Sequence, residues 1–368
     1  MPRGVPERLA EFVDQWAELG VRAWANRWWD MPVSVGNEIA PLIGAAPGEI
    51  AMLPNVTIAQ TSVLSALDYS HGRDTIVMTA LDFPSVRYVY DGLATRLGAR
   101  IVVVPSDDGI GIDTQRIVDA IDDRTKLVAI SHVLFRSAFI MDVTSICRRA
   151  REVGALVSLD AFHSVGVMPV DVKQLGVDFL SGGVLKWLCG GPGGAFLYVS
   201  PAAAVSLTPA FTGWQAHERP FAFEDGMHYA GGAERWLNGT PSIPALFAAL
   251  EGPRIVRRAG VERIRAKSIR QTTRLVELAD ARDYKVTAPR DPQQRGGTVA
   301  FDVPHSYGVA QALLANDVIV DYRPNAGIRI APHFYSSDDE LERVVEMIDS
   351  ILRDQSWKAF EANRGTVT

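Results

Sequence analysis

From about residue 50 the chain alternates short apolar runs with amphipathic stretches. Residues 75–78 read as a strand, and 88–97 carry helical spacing stopped by Gly98. Residues 99–104 read as a strand ended by Pro105, 114–121 as a helix and 126–131 as a strand. Residues 143–153 are helical and meet Gly154 before the strand 155–160. Strands that alternate with helices imply parallel pairing, because each parallel crossover needs room for a helix.

The rhythm changes after Asp160. Residues 178–180 and 194–199 read as strands joined by a glycine-rich loop, with no helix between them. A long helical stretch over 244–275 follows, with an interruption expected near Gly252-Pro253. The last third reads as strand (297–303), helix (308–316), two short strands (318–322, 328–331) and helix (338–353). The pattern predicts an α/β chain: a mostly parallel central sheet flanked by helices, with a smaller α+β C-terminal domain. The expected divisions are an N-terminal segment over 1–40, a large domain over 41–255 and a small domain over 256–368. In the first segment Leu9, Phe12, Val13, Trp16 and Leu19 share one helical face, with Glu11, Asp14 and Glu18 between them. That amphipathic helix is expected to pack on the small domain.

Composition narrows the class. With 47% hydrophobic and 22% charged residues among 368, the chain is not a disordered one. Lys and Arg number 37 against 43 Asp and Glu, a net charge of −6 that argues against a nucleic-acid partner. The two cysteines, Cys147 and Cys189, exclude a disulfide scaffold and suggest a reducing compartment. The first residues lack the apolar core of a signal peptide, and no apolar run is long enough to span a bilayer. A cytoplasmic protein with no membrane partner is the expectation. The seven histidines show no i, i+4 pair, so no metal centre is expected.

Two residues point to chemistry. Lys186 lies among glycines and apolar residues in Ser181-Gly182-Gly183-Val184-Leu185-Lys186-Trp187-Leu188-Cys189-Gly190-Gly191. A desolvated lysine has a lowered pKa and attacks carbonyls; the alternative is a surface lysine in a flexible loop. Asp160 sits at the carboxyl end of a strand, where open parallel sheets bind ligands; the alternative is a turn or helix-cap aspartate. Together, a Schiff-base lysine and an acid facing a pyridinium nitrogen are the pair that pyridoxal 5'-phosphate requires.

At these residues the chain resembles the class V branch of the fold-type I pyridoxal-phosphate enzymes, and within it the kynureninases. The resemblance rests on Asp160-Ala161-Phe162-His163-Ser164, Pro169-Val170-Asp171, Gly176-Val177-Asp178-Phe179, Lys186-Trp187-Leu188 and Gly190-Gly191-Pro192-Gly193. Ser131-His132-Val133 and Ile328-Arg329-Ile330-Ala331-Pro332 also match. The resemblance implies the fold-type I transferase fold and a homodimer with shared active sites.

It also implies roles by position. Lys186 would carry the cofactor, Asp160 would face the pyridine nitrogen, and His163 would support the ring. Phe83 would stack on the ring, and Val56 with Thr57 would present N–H groups to the phosphate. Trp214 and Thr240 would reach the partner subunit's phosphate. Arg329 would grip the substrate α-carboxylate, with Arg323 as fallback. Without that frame His163 reads equally as a core histidine, and Phe83 reads first as an ordinary core phenylalanine after a strand.

The implied reaction cleaves the side chain of an α-amino acid by way of an external aldimine and an α-carbanion, as a kynureninase-like hydrolase or a β-lyase. A class V aminotransferase and a catalytically inactive binding protein of the same fold are the alternatives. The chain departs from the kynureninases at Leu185, where they carry tyrosine, and at Val86, where they carry an acid. A cysteine desulfurase would need a reactive cysteine on a mobile loop. Cys189 instead lies beside the lysine, and Cys147 falls in a helical run.

Overall fold

In a computed structural model, which describes residues 2–361, the chain builds two sheets. The strands of the first are β1 (Ile50–Leu53), β2 (Thr75–Thr79), β3 (Arg100–Val104), β4 (Thr125–Ser131), β5 (Leu156–Asp160), β6 (Phe179–Gly183) and β7 (Ala195–Val199). Those of the second are β8 (Lys285–Val286), β9 (Val299–Asp302), β10 (Asp321–Arg323) and β11 (Gly327–Ile330). The first sheet runs in the order β1-β7-β6-β5-β4-β2-β3 and the second in the order β10-β11-β9-β8. β2 to β6 are parallel, and β7 is antiparallel to both β6 and β1.

Period-two alternation explains how the large sheet is buried. Val77, Val128, Ile130, Val157 and Leu159 face one apolar cluster, while Ile76, Met78, Leu127, Ala129 and Phe179 face the other. Both faces are therefore apolar, as expected when helices cover a parallel sheet on both sides. The helix Val143–Val153 shows how the chain sets this up locally. Asp142 caps it by accepting the N–H of Ser145, and Ile146, Cys147 and Ala150 turn inward.

Strand order also sets where a ligand would lie. From β2 the chain moves outward to β3 and then returns to β4 on the other side, so the order reverses around β2 and β4. Ser131 and Asp160, the last residues of β4 and β5, are in register with Ser181 in the middle of β6. Leu53, Ala195 and Gly183 are in register across β1, β7 and β6, which brings the end of β1 to the same edge.

Three readings are corrected. The long helix is interrupted at Leu250 and Gly260, giving helices Ile243–Ala249, Glu251–Ala259 and Val261–Asp280. Pro253 falls in the first turn of the middle helix, where a missing N–H costs nothing. The N-terminal segment packs on the large unit rather than the small one: Phe12 meets Phe247 at 5.8 Å, Arg8 Nε donates to Glu251 at 2.8 Å, and Arg254 pairs with Glu38 at 2.6 Å. Arg8 and Glu38 of the segment find Glu251 and Arg254 of the large unit, pairings that the apolar stripe alone does not reveal. Strand β1, unassigned from the sequence, closes the far edge of the sheet. Among the described residues no helix is long and apolar enough to cross a membrane.

The helix Glu251–Ala259 touches the loop that carries Lys186. A Cβ added to Gly252 would stand 1.6 Å from the carbonyl oxygen of Leu188. Gly252→Ala is expected to cost about 1–3 kcal/mol in urea unfolding. Gly231→Ala, at a position with nothing within 4 Å, is expected to leave the midpoint unchanged.

Candidate active site

Lys186 is not on a flexible loop. The hairpin between β6 and β7 is closed by Val184 N–H to Gly194 O at 3.1 Å, Gly190 N–H to Val184 O at 2.7 Å and Cys189 N–H to Lys186 O at 3.0 Å. Trp187 and Leu188 are buried beneath it. The Lys186 Nζ lies 2.7 Å from His163 Nε2, 4.6 Å from the centre of the Phe162 ring and 5.8 Å from that of Phe83. Phe162 comes this close because Gly183 has no side chain; a Cβ there would stand 2.3 Å from the ring.

The electrostatics follow from burial. Desolvation first, then the charge of Arg329, lowers the Lys186 pKa to about 8; Arg323 adds to this, while Asp160 and Asp321 oppose it. Desolvation, reinforced by Lys186, Arg329 and Arg323, holds His163 well below the ordinary histidine value. A protonated Lys186 therefore donates to a neutral imidazole, whose own proton sits on Nδ1.

Asp160 is buried, and burial raises its pKa to about 6, against the lowering effects of the Phe162 N–H and of Lys186. Its Oδ1 accepts the Phe162 N–H at 2.9 Å. Among the described residues no cation lies within ion-pair distance of it. A buried, unpaired carboxylate is costly and calls for a cationic or N–H partner.

Alternation along β5 sends Ser158 and Asp160 to the face covered by the helix Val56–Ser65. There Gln60 accepts from Tyr90 Oη at 2.7 Å and Ser158 Oγ at 3.1 Å, and donates to Ser181 Oγ at 2.9 Å. This buried network locks the helix onto β5 and β6. Asn55 caps the same helix by accepting the Ile58 N–H at 3.0 Å, and Ala59 N–H bonds Asn55 O. The N–H groups of Val56 and Thr57 remain for an anion at the site edge.

Asp82 precedes Phe83 and fixes it, accepting the N–H groups of Thr79 at 2.7 Å and Ser131 at 2.8 Å. It thereby ties the end of β2 to the end of β4. Phe83 in turn packs edge-on to Phe135 at 5.2 Å.

Other predicted residues lie elsewhere or are already engaged. Arg329, flanked by buried Ile328 and Ile330, is paired with Asp321. Trp214 and Thr240 share a cavity of about 770 Å³ with Val21, Trp24, Trp29 and Phe221. Trp214 is 41% exposed, and its one indole N–H, expected to reach a phosphate, donates instead to the carbonyl of Pro220 at 2.5 Å. Leu185 is exposed, whereas Val86 is buried in the core. Burial pushes the Cys147 thiol up to about 12 and the Cys189 thiol up to about 11, away from thiolate chemistry. Sequence reasoning missed Phe162, Asp82 and the Gln60 network. Phe162 lies inside the quoted Asp160 motif; the other two leave no local signal.

Comparison with known proteins adds the following. The family model described as aminotransferase class-V matches residues 2–327. A kynureninase of Burkholderia pseudomallei is 32% identical over 385 residues, covering 100% of this chain and 90% of that protein. The cysteine desulfurase of Thermococcus onnurineus NA1 superposes with a TM-score of 0.84 at 26% identity, covering 96% of this chain and 92% of its own. A C-DES variant with glycine covalently linked to its PLP cofactor superposes at 0.86 and 21% identity, covering 95% and 94%, a likeness of fold alone. The architecture is fold-type I.

The desolvated acid has a measurable signature. Folded, Asp160 holds a proton up to about pH 6, whereas an unfolded aspartate releases it near 4. The stability so contributed is present below pH 4 and is lost as pH rises through 6. In cofactor-free protein, Asp160→Asn is expected to gain on the parent between pH 4 and pH 7, by ~3 kcal/mol at most. A difference that stays flat across that range in urea unfolding would contradict the unpaired carboxylate.

Proposed function

This chain belongs to the aminotransferase class V family, and from that premise we propose that it is a pyridoxal 5'-phosphate enzyme that cleaves the side chain of an α-amino acid. The observation that carries the reading is a desolvated lysine amine within electrostatic reach of a buried carboxylate that has no cation in contact among the described residues. The residues fit the cofactor. Asp160 suits a protonated ring nitrogen, Phe83 and Phe162 offer flat apolar surfaces beside Nζ, and Val56 and Thr57 offer N–H groups to a phosphate. The cofactor, when bound, supplies an aldehyde to Lys186 and a ring that stores an electron pair.

The chain's own groups handle protons and orientation. With a pKa of about 8, a useful fraction of Lys186 is a neutral nucleophile near neutral pH, and the freed amine can take the substrate α-proton. His163 Nε2, 2.7 Å away, accepts a hydrogen bond from Nζ and orients its lone pair. Arg329 binds the substrate α-carboxylate through its planar fork. Leu185 and Val86 carry no titratable group, so proton traffic falls on Lys186. Which bond breaks, by hydrolysis of a kynurenine or by β-elimination, is the finer point.

The complete site needs a second copy in this reading. Trp214 and Thr240 face outward beside the exposed rings of Phe221 and Phe223, a surface that suits a homodimer, in which the Trp214 N–H would exchange the Pro220 carbonyl for a phosphate in trans.

The purified protein is expected to show the visible absorbance band of a protonated imine, lost in Lys186→Ala, and to sediment as a dimer. Incubation with kynurenine should release alanine and an aromatic acid if the enzyme is a hydrolase. Cysteine conjugates should yield pyruvate, ammonia and a thiol if it is a β-lyase. A single turnover that leaves the amine form of the cofactor would instead mark an aminotransferase. A bound cofactor that responds to no amino acid would overturn the enzymatic reading in favour of a binding protein.

A further inference from the structure

The arginine that meets the substrate carboxylate in the reading above has a partner of its own. β10 and β11 form a hairpin whose register sets Asp321 directly across from Arg329. Arg329 Nε donates to Asp321 Oδ2 at 3.0 Å, Nη2 donates to the same oxygen, and Nη1 donates to the carbonyl of Phe135. Arg323 Nη1 lies 2.8 Å from Asp321 Oδ1. The Arg329 side chain is 11% exposed and that of Asp321 24%, so the pair is shielded from water and weakly screened by salt.

A guanidinium has five N–H groups in one plane. Asp321 and Phe135 occupy three of them. One N–H remains on each Nη, and the one on Nη2 lies off the edge that Asp321 holds, open to a carboxylate oxygen. Two guanidinium groups against one carboxylate leave the cluster one positive charge in excess, which matches an incoming monoanion. Without Asp321, Arg323 and Arg329 would repel each other, and Arg329 would keep only the Phe135 carbonyl to hold it.

We propose that Asp321 is a positioning residue: it holds Arg329 by its Nε edge so that the N–H groups left over meet an α-carboxylate, and so makes the site selective for amines that carry one. This rests on the reading of Arg329 as the carboxylate-binding residue. The geometry also distinguishes positioning from competition. An aspartate that merely blocked the arginine would occupy the N–H groups a substrate needs, whereas Asp321 leaves one on each Nη.

Calorimetric titration of the holoenzyme with L-alanine and with L-alaninamide tests the carboxylate, because the amide keeps the carbon skeleton and the amine but carries no negative charge; comparing each variant with the parent cancels the difference in amine basicity. The parent is expected to prefer L-alanine. Asp321→Asn is expected to reduce that preference at least about tenfold while leaving the alaninamide Kd within about twofold, since a displaced fork loses orientation rather than charge. Asp321→Glu should restore part of the preference, and urea midpoints of both variants confirm that they fold. Unchanged or tighter alanine binding in Asp321→Asn would overturn the proposal. Arg329→Ala tests the underlying reading separately: if its preference for alanine matches the parent's, the carboxylate is bound elsewhere and the proposal falls with that reading.

Discussion

A carboxylate withdrawn from water at the end of β5 and given no cation is the constraint that organises the molecule. Its charged form is disfavoured where it stands, and the surrounding chain does nothing to relieve it with an arginine or a lysine in contact. What the chain does is make the surroundings rigid. The Gln60 network fastens a helix above the strand, Asp82 fastens the ends of β2 and β4, and the β6–β7 hairpin fastens Lys186. Local strain of this kind persists only where the rest of the structure over-determines it. In the reading proposed above, electrostatics that are unfavourable ahead of binding become favourable once a cation meets Asp160.

Much of the architecture was legible because period-two alternation and glycine stops are local properties. The strands at 75–78, 126–131 and 195–199 and the helix at 143–153 lie close to where the apolar pattern sets them. The α/β class and the antiparallel return after β6 follow from the missing crossover helix. β1 escaped because Ile50 to Leu53 carries no alternation of its own; it is buried throughout and is defined by pairing with β7. The N-terminal helix was assigned the wrong neighbour because an amphipathic stripe states that a face is covered, not by what.

The site divides along the same line. Asp160, His163 and Lys186 lie in two short motifs, and folding brings His163 Nε2 to Lys186 Nζ. Asp82, Gln60, Tyr90 and Asp321 act through partners distant along the chain or across a hairpin register, so no spacing announces them. Trp214 and Thr240 come together in a cavity of their own with Trp29 and Phe221, which a reading of one chain cannot connect to Lys186.

The short return between β6 and β7 has a consequence for motion. Reactive groups often ride on segments that open readily, well below the free energy of global unfolding. Here the amine is carried by a hairpin whose closing bonds, Val184 to Gly194 and Gly190 to Val184, continue the ladder of two buried strands. Releasing the amine's backbone means unzipping the interior of the sheet. The amide hydrogens of Val184, Cys189 and Gly190 should therefore exchange with solvent about as slowly as those of the core, and access for incoming molecules must be governed by whatever surrounds the lysine rather than by the segment that bears it.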